Sequence, residues 1–289
     1  MGSFESALTE ERMTPADAEA ALLLSAEAGW NQTAEDWEFM LREGRGVGVR
    51  DASGRWIGSS LALPVGEDLS WISMVLVAKG QRRRGIGTRL LRRCIEAVQR
   101  AGHAAGLDAT EFGRLVYPSL GFRDLHPISR LWLEIPVSAE PLWTDHQIRP
   151  LIAADLVALA AFDASRSGME RGHVLDYLFW QAPSSAFVVE VDEGVVGYIL
   201  GRPGRSAFQI GPVVADDENL ACALVANALV ASKLPVILDV PDAHPGLRRW
   251  LGGTGAVRQR GFTRMILGKP PRALADTSRI FAIAGPELG

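Results

Sequence analysis

The most constraining feature of this sequence is a basic, glycine-containing loop between an apolar segment and an amphipathic one. Trp71–Val77 is apolar enough for a buried strand, and Ile86–Ala101 places its apolar residues on one helical face. Between them, Arg82–Gly87 reads RRRGIG. A helix N-terminus attracts anions and is an unfavourable place for arginines unless an anion is bound. The loop therefore predicts a phosphate site, where glycines let the ligand approach the backbone.

The alternative interpretation of this loop is that its arginines are only solvated. Two other kinds of phosphate loop are excluded by the letters themselves. The segment has no G-x-x-x-x-G-K-[ST], the loop of nucleoside triphosphatases, and no complete dinucleotide-binding G-x-G-x-x-G. A different phosphate-bearing ligand is therefore expected.

The order of predicted elements indicates two copies of one fold in a chain of 289 residues, since a domain has about 150. In the first half, helices are predicted at 16–28, 33–41, 86–101 and 113–120, and strands at 46–50, 56–63, 69–77, 103–109 and 130–135. In the second half, helices are predicted at 155–162, 171–181, 218–231 and 246–251, and strands at 147–150, 186–192, 195–202, 207–214, 236–240 and 263–267. This similar order is interpreted as an internal duplication.

The domain boundaries follow from this repeat. The predicted domains are 1–137 and 146–269, joined by a linker at 138–145 and followed by a tail at 270–289. Gly121-Phe122 in the first half is interpreted as the counterpart of Gly261-Phe262 in the second.

The basic loop resembles the [QR]-x-x-G-x-[GA] pyrophosphate loop of the GCN5-related N-acetyltransferase (GNAT) superfamily, including the preceding Val77. A later family motif, in which a strand is followed by a helix ending in Y-x-x-x-G-F, is similar to three further segments. These are Leu107–Thr110, then Gly113 and Tyr117, and finally Leu120–Phe122. The two motifs occur in the right order and at compatible spacing. The resemblance covers most of residues 1–140 and extends to tandem proteins with a degenerate second copy.

The resemblance implies an α+β fold of the α/β three-layer type. Each half is expected to hold a mixed, mostly antiparallel central sheet, flanked by helices, with a splayed parallel strand pair. In the first half, this pair would be 69–77 and 103–109. Many family members have an asparagine after the later strand, where this chain has Thr110. No asparagine role is transferred to that position.

The function implied by the resemblance is transfer of an acetyl group from acetyl-CoA to a primary amine. The amine would attack directly in a ternary complex, without an acyl-enzyme. Two alternatives remain open: a non-catalytic acetyl-CoA sensor, and a transferase for a longer acyl-CoA. The acceptor is a small-molecule or a protein amine, and a homodimer is an open alternative.

The resemblance also implies the cofactor contacts. Backbone groups near Leu76 and Val77 would hold the pantetheine and polarise the thioester carbonyl, while the loop would bind the diphosphate. The full expected set is Leu76, Val77, Arg82, Arg83, Arg84, Gly85, Ile86, Gly87 and Thr88.

Tyr117 is the candidate general acid that protonates the departing thiolate. The competing interpretation is a half-buried aromatic side chain packing under Phe122. Cys94 lies within the apolar stripe of its predicted helix and is expected to be a core residue rather than a nucleophile.

The acceptor side is less constrained by the sequence. Glu67, Asp68 and Asp108 are candidate bases for the attacking amine, and a relay through water is an equal alternative. Trp30 and Asn31 lie in the loop between the first two helices, which borders the acceptor site in the family. They are the candidate substrate contacts, although Trp30 is equally consistent with simple packing on Trp37.

The second half lacks a basic loop at the corresponding position. It has Asp216–Glu218 there, which would repel a diphosphate but suits an ordinary helix cap, so this copy is expected to bind no CoA. The second half is expected to shape the acceptor pocket or to support dimerisation. Arg166, Arg171 and Arg202 are candidate contacts for an acidic acceptor.

Composition narrows the class of protein further. The net charge of −4 gives no global attraction for nucleic acid, and no apolar run reaches the ~20 residues that cross a bilayer. Two cysteines, Cys94 and Cys222, fit a reducing cytoplasm better than a disulfide framework. The five histidines are scattered, so no metal is expected.

Overall fold

Short-range sequence signals account for most of the helices. The computed structural model describes residues 9–134, 144, 146–192, 194–232 and 235–289. Within them, the helices are α1 (Ala18–Glu27), α2 (Ala34–Glu43), α3 (Ile86–Arg100), α4 (Glu111–Arg114), α5 (Leu156–Ser167), α6 (Gly172–Gln181), α7 (Glu218–Ala231) and α8 (Pro245–Gly253). None of the helices in these residues has the length and apolarity needed to span a bilayer.

Two of these helices show how the sequence specifies them. Helix α2 begins after Thr33, whose hydroxyl accepts from the Asp36 amide at 3.3 Å, while the Asp36 carboxylate accepts from the Thr33 amide at 2.8 Å. This is the predicted reciprocal cap. Helix α3 buries the predicted apolar stripe, which consists of Ile86, Leu90, Leu91, Cys94, Ile95 and Val98.

The described strands form one continuous mixed sheet. They are β1 (Glu10–Met13), β2 (Arg45–Arg50), β3 (Trp56–Pro64), β4 (Leu69–Val77), β5 (Ala104–Ala109), β6 (Arg123–Leu133), β7 (Ile148–Pro150), β8 (Phe187–Val191), β9 (Gly194–Arg202), β10 (Phe208–Ala215), β11 (Val236–Pro241), β12 (Val257–Leu267) and β13 (Ile280–Ala282). Their spatial order is β1-β2-β3-β4-β5-β12-β6-β11-β10-β9-β8-β7, and β13 pairs with β10. The β4–β5 and β10–β11 pairs are parallel, and the other pairs are antiparallel. The mixed, mostly antiparallel sheet with one parallel pair in each half confirms the predicted fold class.

The two halves exchange their last strands at the centre of this sheet. Strand β12, from the second half, lies between β5 and β6 of the first half, while β6 pairs with β11 of the second. Each half therefore completes the sheet of the other. The halves share one hydrogen-bonded sheet rather than meeting as two separate ones.

Two buried ion pairs fasten the exchanged strands in equivalent places. Arg264 on β12 binds Asp108 of β5 through two hydrogen bonds of 2.9 Å. Arg130 on β6 binds Asp239 of β11 through two of 2.7 Å. Paired, bidentate geometry satisfies charges that would otherwise be costly to bury. Asp108 and Asp239 lie near the ends of β5 and β11, which are corresponding strands of the two halves. The internal duplication therefore extends to this pair of buried ion pairs.

The exchanged strands are longer than predicted. Strand β6 begins at Arg123 rather than at 130, because its first residues pair with β12. It accommodates Pro127 because the ladder with β11 ends at Ile128, and beyond it the Pro127 carbonyl accepts from the Asp242 amide at 3.0 Å. Strand β12 begins at Val257 rather than at 263, because its first residues pair with β6 alone.

The proposed equivalence of Gly121-Phe122 and Gly261-Phe262 is wrong. Gly261 lies inside β12, whereas Gly121 follows a helical turn with a φ of 92°. The positional counterpart is Gly255, which follows α8 with a φ of 98°. Both glycines end a helical segment in the left-handed conformation that favours glycine.

The segments outside the two predicted domains differ in what can be said of them. Of the predicted linker, only Thr144 lies among the described residues. The tail has a defined path: after a 3-10 turn at Arg272–Ala275 it forms β13 against β10. Leu288 and Glu287 beyond that strand are buried.

Candidate active site

A slot opens where β4 and β5 separate. Their pairing runs only from Leu69 to Trp71 on β4, so Val75–Val77 present a backbone edge without a strand partner on that side. The separation coincides with a bulge at Met74, whose φ of 52° is rare outside glycine. The Ser59 hydroxyl donates to the Met74 carbonyl at 2.8 Å and holds this conformation. The slot therefore results from the bulged conformation of β4 itself.

The basic loop turns its backbone toward this slot. Arg83 and Gly85 have φ values of 62° and 75°, and α3 begins at the next residue, Ile86. Left-handed residues next to a helix start bring successive amides together into an anion-binding concavity. At Gly87, a Cβ would lie 3.2 Å from the Val77 side chain, so glycine permits the close approach of helix and strand.

A groove of about 930 Å³, called the long groove here, runs from this loop past the slot to Tyr117. All of the predicted cofactor contacts line it except Arg84. The Arg84 guanidinium instead donates to the Gln81 side chain. Arg82 donates from Nε to the Val77 carbonyl at 3.1 Å, which ties the loop to the end of β4. The folded chain therefore brings the rest of the predicted set to one surface.

Tyr117 stands at the inner end of the long groove. It begins a 3-10 turn after α4, and its ring packs against Phe122 with centroids 5.9 Å apart. A Cβ at Gly113 would lie 2.9 Å from the Tyr117 hydroxyl, so that glycine makes room for the ring. Burial raises the pKa of Tyr117 to about 12. The hydroxyl therefore keeps its proton at neutral pH, as a general acid must.

A second cavity of about 60 Å³, called the inner cavity here, adjoins the long groove. Both are lined by Trp30, Val75, Thr110, Tyr117 and Arg260. Residues of the second half and of the tail form much of the inner cavity, namely Arg260, Phe262, Pro286 and Glu287. A ligand in the inner cavity would thus meet one in the long groove beside Tyr117.

Two family models match the chain, one over each half. A model of the acetyltransferase (GNAT) family matches residues 13–122. A model of an acetyltransferase (GNAT) domain matches residues 159–282. The chain belongs to the GNAT acetyltransferase family. It carries two GNAT domains in tandem.

Similar proteins extend over the whole tandem arrangement. The chain is 25% identical to YitH, an uncharacterised N-acetyltransferase of Bacillus subtilis, over 93% of its own length and 94% of that protein. It is also 25% identical to the holothin acyltransferase of Pseudoalteromonas, over 89% of its length and 88% of that chain. A crystal structure of a candidate acetyltransferase from Pyrococcus horikoshii superimposes with a TM-score of 0.78 at 19% identity, covering 100% of this chain and 98% of that one.

Of the two residues expected to contact substrate in this GNAT chain, only Trp30 lines a cavity. Asn31 is 3% exposed and joins the halves. Its side-chain oxygen accepts from the amides of Ser206 and Ala207, and its side-chain nitrogen donates to the Ala207 carbonyl at 3.0 Å. The structure therefore places the Asn31 side chain in the contact between the halves, whereas Trp30 faces the inner cavity and the long groove.

None of the three candidate bases is placed to act. Glu67 and Asp68 are exposed at the start of β4, about 25 Å along the strand from Val75 at ~3.3 Å per residue. Asp108 does line the inner cavity, but both of its oxygens accept from Arg264. The sequence could not show these partners, because they are distant along the chain.

The three arginines suggested for an acidic acceptor all have carboxylate partners. Arg171 binds Asp163 at 2.9 Å, and Arg166 binds Asp216 at 3.0 Å. Arg202 binds Asp36 and Glu287 in a buried chain of charges. Asp36 therefore has two roles, as the cap of α2 and as a partner across the halves.

The slot of the second GNAT domain is filled by the chain itself. Beyond Leu238, where pairing with β10 ends, β13 lies against β10, and the Ile283 amide donates to the Asp239 carbonyl at 3.0 Å. Asp217 caps α7 by accepting from the Leu220 amide at 2.8 Å, which confirms the helix-cap interpretation of the acidic residues. Within the described ranges, no three His, Cys, Asp or Glu side chains gather as a metal-binding group.

Proposed function

We propose that this GNAT acyltransferase transfers an acetyl group from acetyl-CoA to a primary amine, by direct attack in a ternary complex. The observation that carries the proposal is the junction at Tyr117 of the long groove with the inner cavity. One substrate would reach this junction along the basic loop, and the other from the inner cavity. The two reacting groups would meet beside a protonated hydroxyl.

The long groove suits a CoA thioester along its length. The amides at the start of α3 would bind the diphosphate, and the Arg82 and Arg83 side chains would add charge-assisted contacts. The backbone edge at Val75 and Leu76, which has no strand partner on this side, would pair with the amide groups of the pantetheine arm. An amide near Leu76 or Val77 would polarise the thioester carbonyl, where negative charge develops.

Tyr117 would protonate the thiolate as it leaves. Direct attack fits the state of the Cys94 thiol, whose pKa is raised to about 11 because it lies buried on the inner face of α3. That thiol is almost wholly protonated at neutral pH and lies in the core, so it is unsuited to form an acyl-enzyme.

Glu287 replaces the earlier candidates as the group that accepts the amine proton, directly or through a water molecule. Its carboxylate lines the inner cavity and accepts from Arg202 through one oxygen. Asp108, the other carboxylate of this cavity, has both oxygens occupied. The name of the holothin acyltransferase favours a small-molecule acceptor over a protein, as does the small volume of the inner cavity.

The test is a thiol-release assay with acetyl-CoA and amino acids, polyamines, aminoglycosides and peptides as acceptors. We expect release of CoA with at least one class, and a 1:1 calorimetric titration with acetyl-CoA. Heat of binding without turnover across all classes would favour the sensor instead. Faster release from butyryl-CoA or hexanoyl-CoA than from acetyl-CoA would favour the longer acyl donor. Absence of any heat of binding would contradict all three functions.

A further inference from the structure

Arg260 differs from the other charged residues around the inner cavity. It lies on β12 and lines both the inner cavity and the long groove. Its Nε is buried and has no hydrogen-bond partner, and no carboxylate among the described residues pairs with it. Its guanidinium lies over the face of Phe262, 5.1 Å from the ring centroid, and the charges of Asp239 and Glu287 attract it without a hydrogen bond. A buried donor nitrogen without a hydrogen-bond partner is costly for the free protein.

The neighbouring charges are compensated in separate groups. Arg130 is neutralised by Asp239, and Arg264 by Asp108. The remaining group is the chain Asp36–Arg202–Glu287, with two carboxylates for one guanidinium. Counted formally, the group that contains Glu287 has one more carboxylate than guanidinium. This excess balances the charge of Arg260 at a distance, but no hydrogen bond joins the two. A ligand carrying both an ammonium and an anionic group complements this distribution.

Burial and repulsion from the Arg130 guanidinium both disfavour the charged form of Arg260. Burial, followed by repulsion from Arg130, lowers the pKa of Arg260 to about 10. The guanidinium remains charged at neutral pH. A carboxylate beside it would relieve both effects, because a guanidinium binds a carboxylate with two parallel charge-assisted hydrogen bonds.

We infer that the acceptor is an amine that also carries a carboxylate, and that Arg260 binds this carboxylate at the mouth of the inner cavity. The inference rests on the proposed function and specifies its acceptor class as amino-acid-like. It also explains why the second half is part of the site. The residue that selects the acceptor is on β12, the strand that the second half inserts into the first.

The competing ligand for Arg260 is the CoA thioester, because the same side chain lines the long groove. Two observations favour the acceptor. Arg260 shares the inner cavity with Trp30 and Glu287, and the basic loop already supplies Arg82 and Arg83 for the diphosphate. Separate measurement of the two substrates distinguishes these ligands.

The experiment compares each common L-α-amino acid with its carboxamide as acceptor, with acetyl-CoA as donor. The enzymes are the wild type, Arg260→Met, Arg260→Lys, and Arg249→Met as a control that removes an exposed arginine of α8. For the preferred side chain, we expect the wild type to favour the acid over the amide by ~10–100-fold in kcat/KM. Arg260→Met should lose this preference through a higher acceptor KM, Arg260→Lys should retain part of it, and Arg249→Met should match the wild type.

The KM for acetyl-CoA should stay within about twofold of the wild-type value in all variants. The thermal midpoint of Arg260→Met should equal or exceed that of the wild type, because an unpaired charge is replaced by an apolar chain of similar length. Equal rates with acids and amides in the wild type would overturn the inference while leaving the acetyltransferase function intact. A raised KM for acetyl-CoA in Arg260→Met, or a lowered thermal midpoint, would also overturn it, by assigning Arg260 to the cofactor or to folding. No thiol release with any amine would overturn the proposed function, and this inference with it.

Discussion

The two halves of this molecule build the same slot and use it differently. In the first, β4 and β5 part after Trp71 and leave a backbone edge open to the long groove. In the second, β10 and β11 part after Ile210, and β13 occupies the gap. A splayed parallel pair has unpaired backbone groups that need partners. One copy leaves them to a ligand, and the other satisfies them with its own chain.

The two helices that begin beside the slots, α3 and α7, also differ in whether a side chain caps their N-terminus. The N-terminus of α3 carries arginines, has no acidic residue in its first turn and receives no side-chain cap. The N-terminus of α7 is capped by Asp217. The first amides of a helix are satisfied by a side-chain cap, by water or by a ligand. In the second copy a side-chain cap takes this role, and β13 occupies the space beside it.

The tail that fills the second slot also forms part of the site beside the first slot. After β13 the tail continues to Pro286 and Glu287, which line the inner cavity. The Pro286 carbonyl accepts from the Trp71 indole at 2.9 Å. Degeneration of the second copy thus coincides with a new use of its tail, as one wall of the site in the first copy.

The largest expected difference between the copies is in their effect on kcat. Tyr117→Phe should lower kcat by ~100–10,000-fold, because it removes the general acid. Acetyl-CoA affinity, measured by calorimetry, should stay unchanged. The control is Trp250→Phe in α8, the helix that follows β11 as α4 follows β5, and it should leave kcat unchanged. A Tyr117→Phe enzyme with normal turnover would remove this residue from the mechanism.

The next effect concerns stability. Phe281→Ala should lower the free energy of unfolding by ~3–5 kcal/mol, because Phe281 on β13 is 2% exposed and fills the second slot. Phe112→Ala beside the open slot should change it by less than ~0.5 kcal/mol, since Phe112 is 85% exposed. Urea denaturation of both variants measures the contrast. Similar losses of unfolding free energy in both variants would contradict the contrast between a filled second slot and an open first slot.

The smallest of these effects concerns binding of the cofactor. Arg83→Glu should weaken acetyl-CoA binding by ~10–100-fold, because it places a negative charge beside the diphosphate. Asp217→Asn at the start of α7 keeps the helix cap and removes a charge, and it should leave that affinity unchanged. Calorimetric titration of both variants tests the pair. Weaker binding in Asp217→Asn would mean that the second copy also takes part in binding CoA.

Sequence reasoning succeeded where interactions are local. The basic loop, the apolar stripe of α3 and the Thr33–Asp36 cap depend on residues within one or two turns of each other, so their spacing is visible in the sequence. The duplication could be predicted from the repeated order of periodic segments, and the fold class from the resemblance of the basic loop and the later motif to a known family. The start of β6 could not, because its first residues pair with β12, which is more than 130 residues away along the chain.

The inner cavity was outside the reach of such reasoning. Asp108 looked available as a base until Arg264, 156 residues away, was seen to hold it. Asn31 looked like a substrate contact, yet its partners lie 175 and 176 residues along the chain. Arg260 gave no signal of its own, since a lone arginine before a glycine is unremarkable in a sequence.

By itself, the sequence predicted an anion site between a strand and a helix, because glycines, arginines and helical periodicity act over a few residues. The tertiary structure alone decided which charges remain free at that site. The exchange of β6 and β12 and the path of the tail bring distant carboxylates and guanidiniums together. A charged side chain is unavailable to a substrate once folding has paired all of its polar atoms.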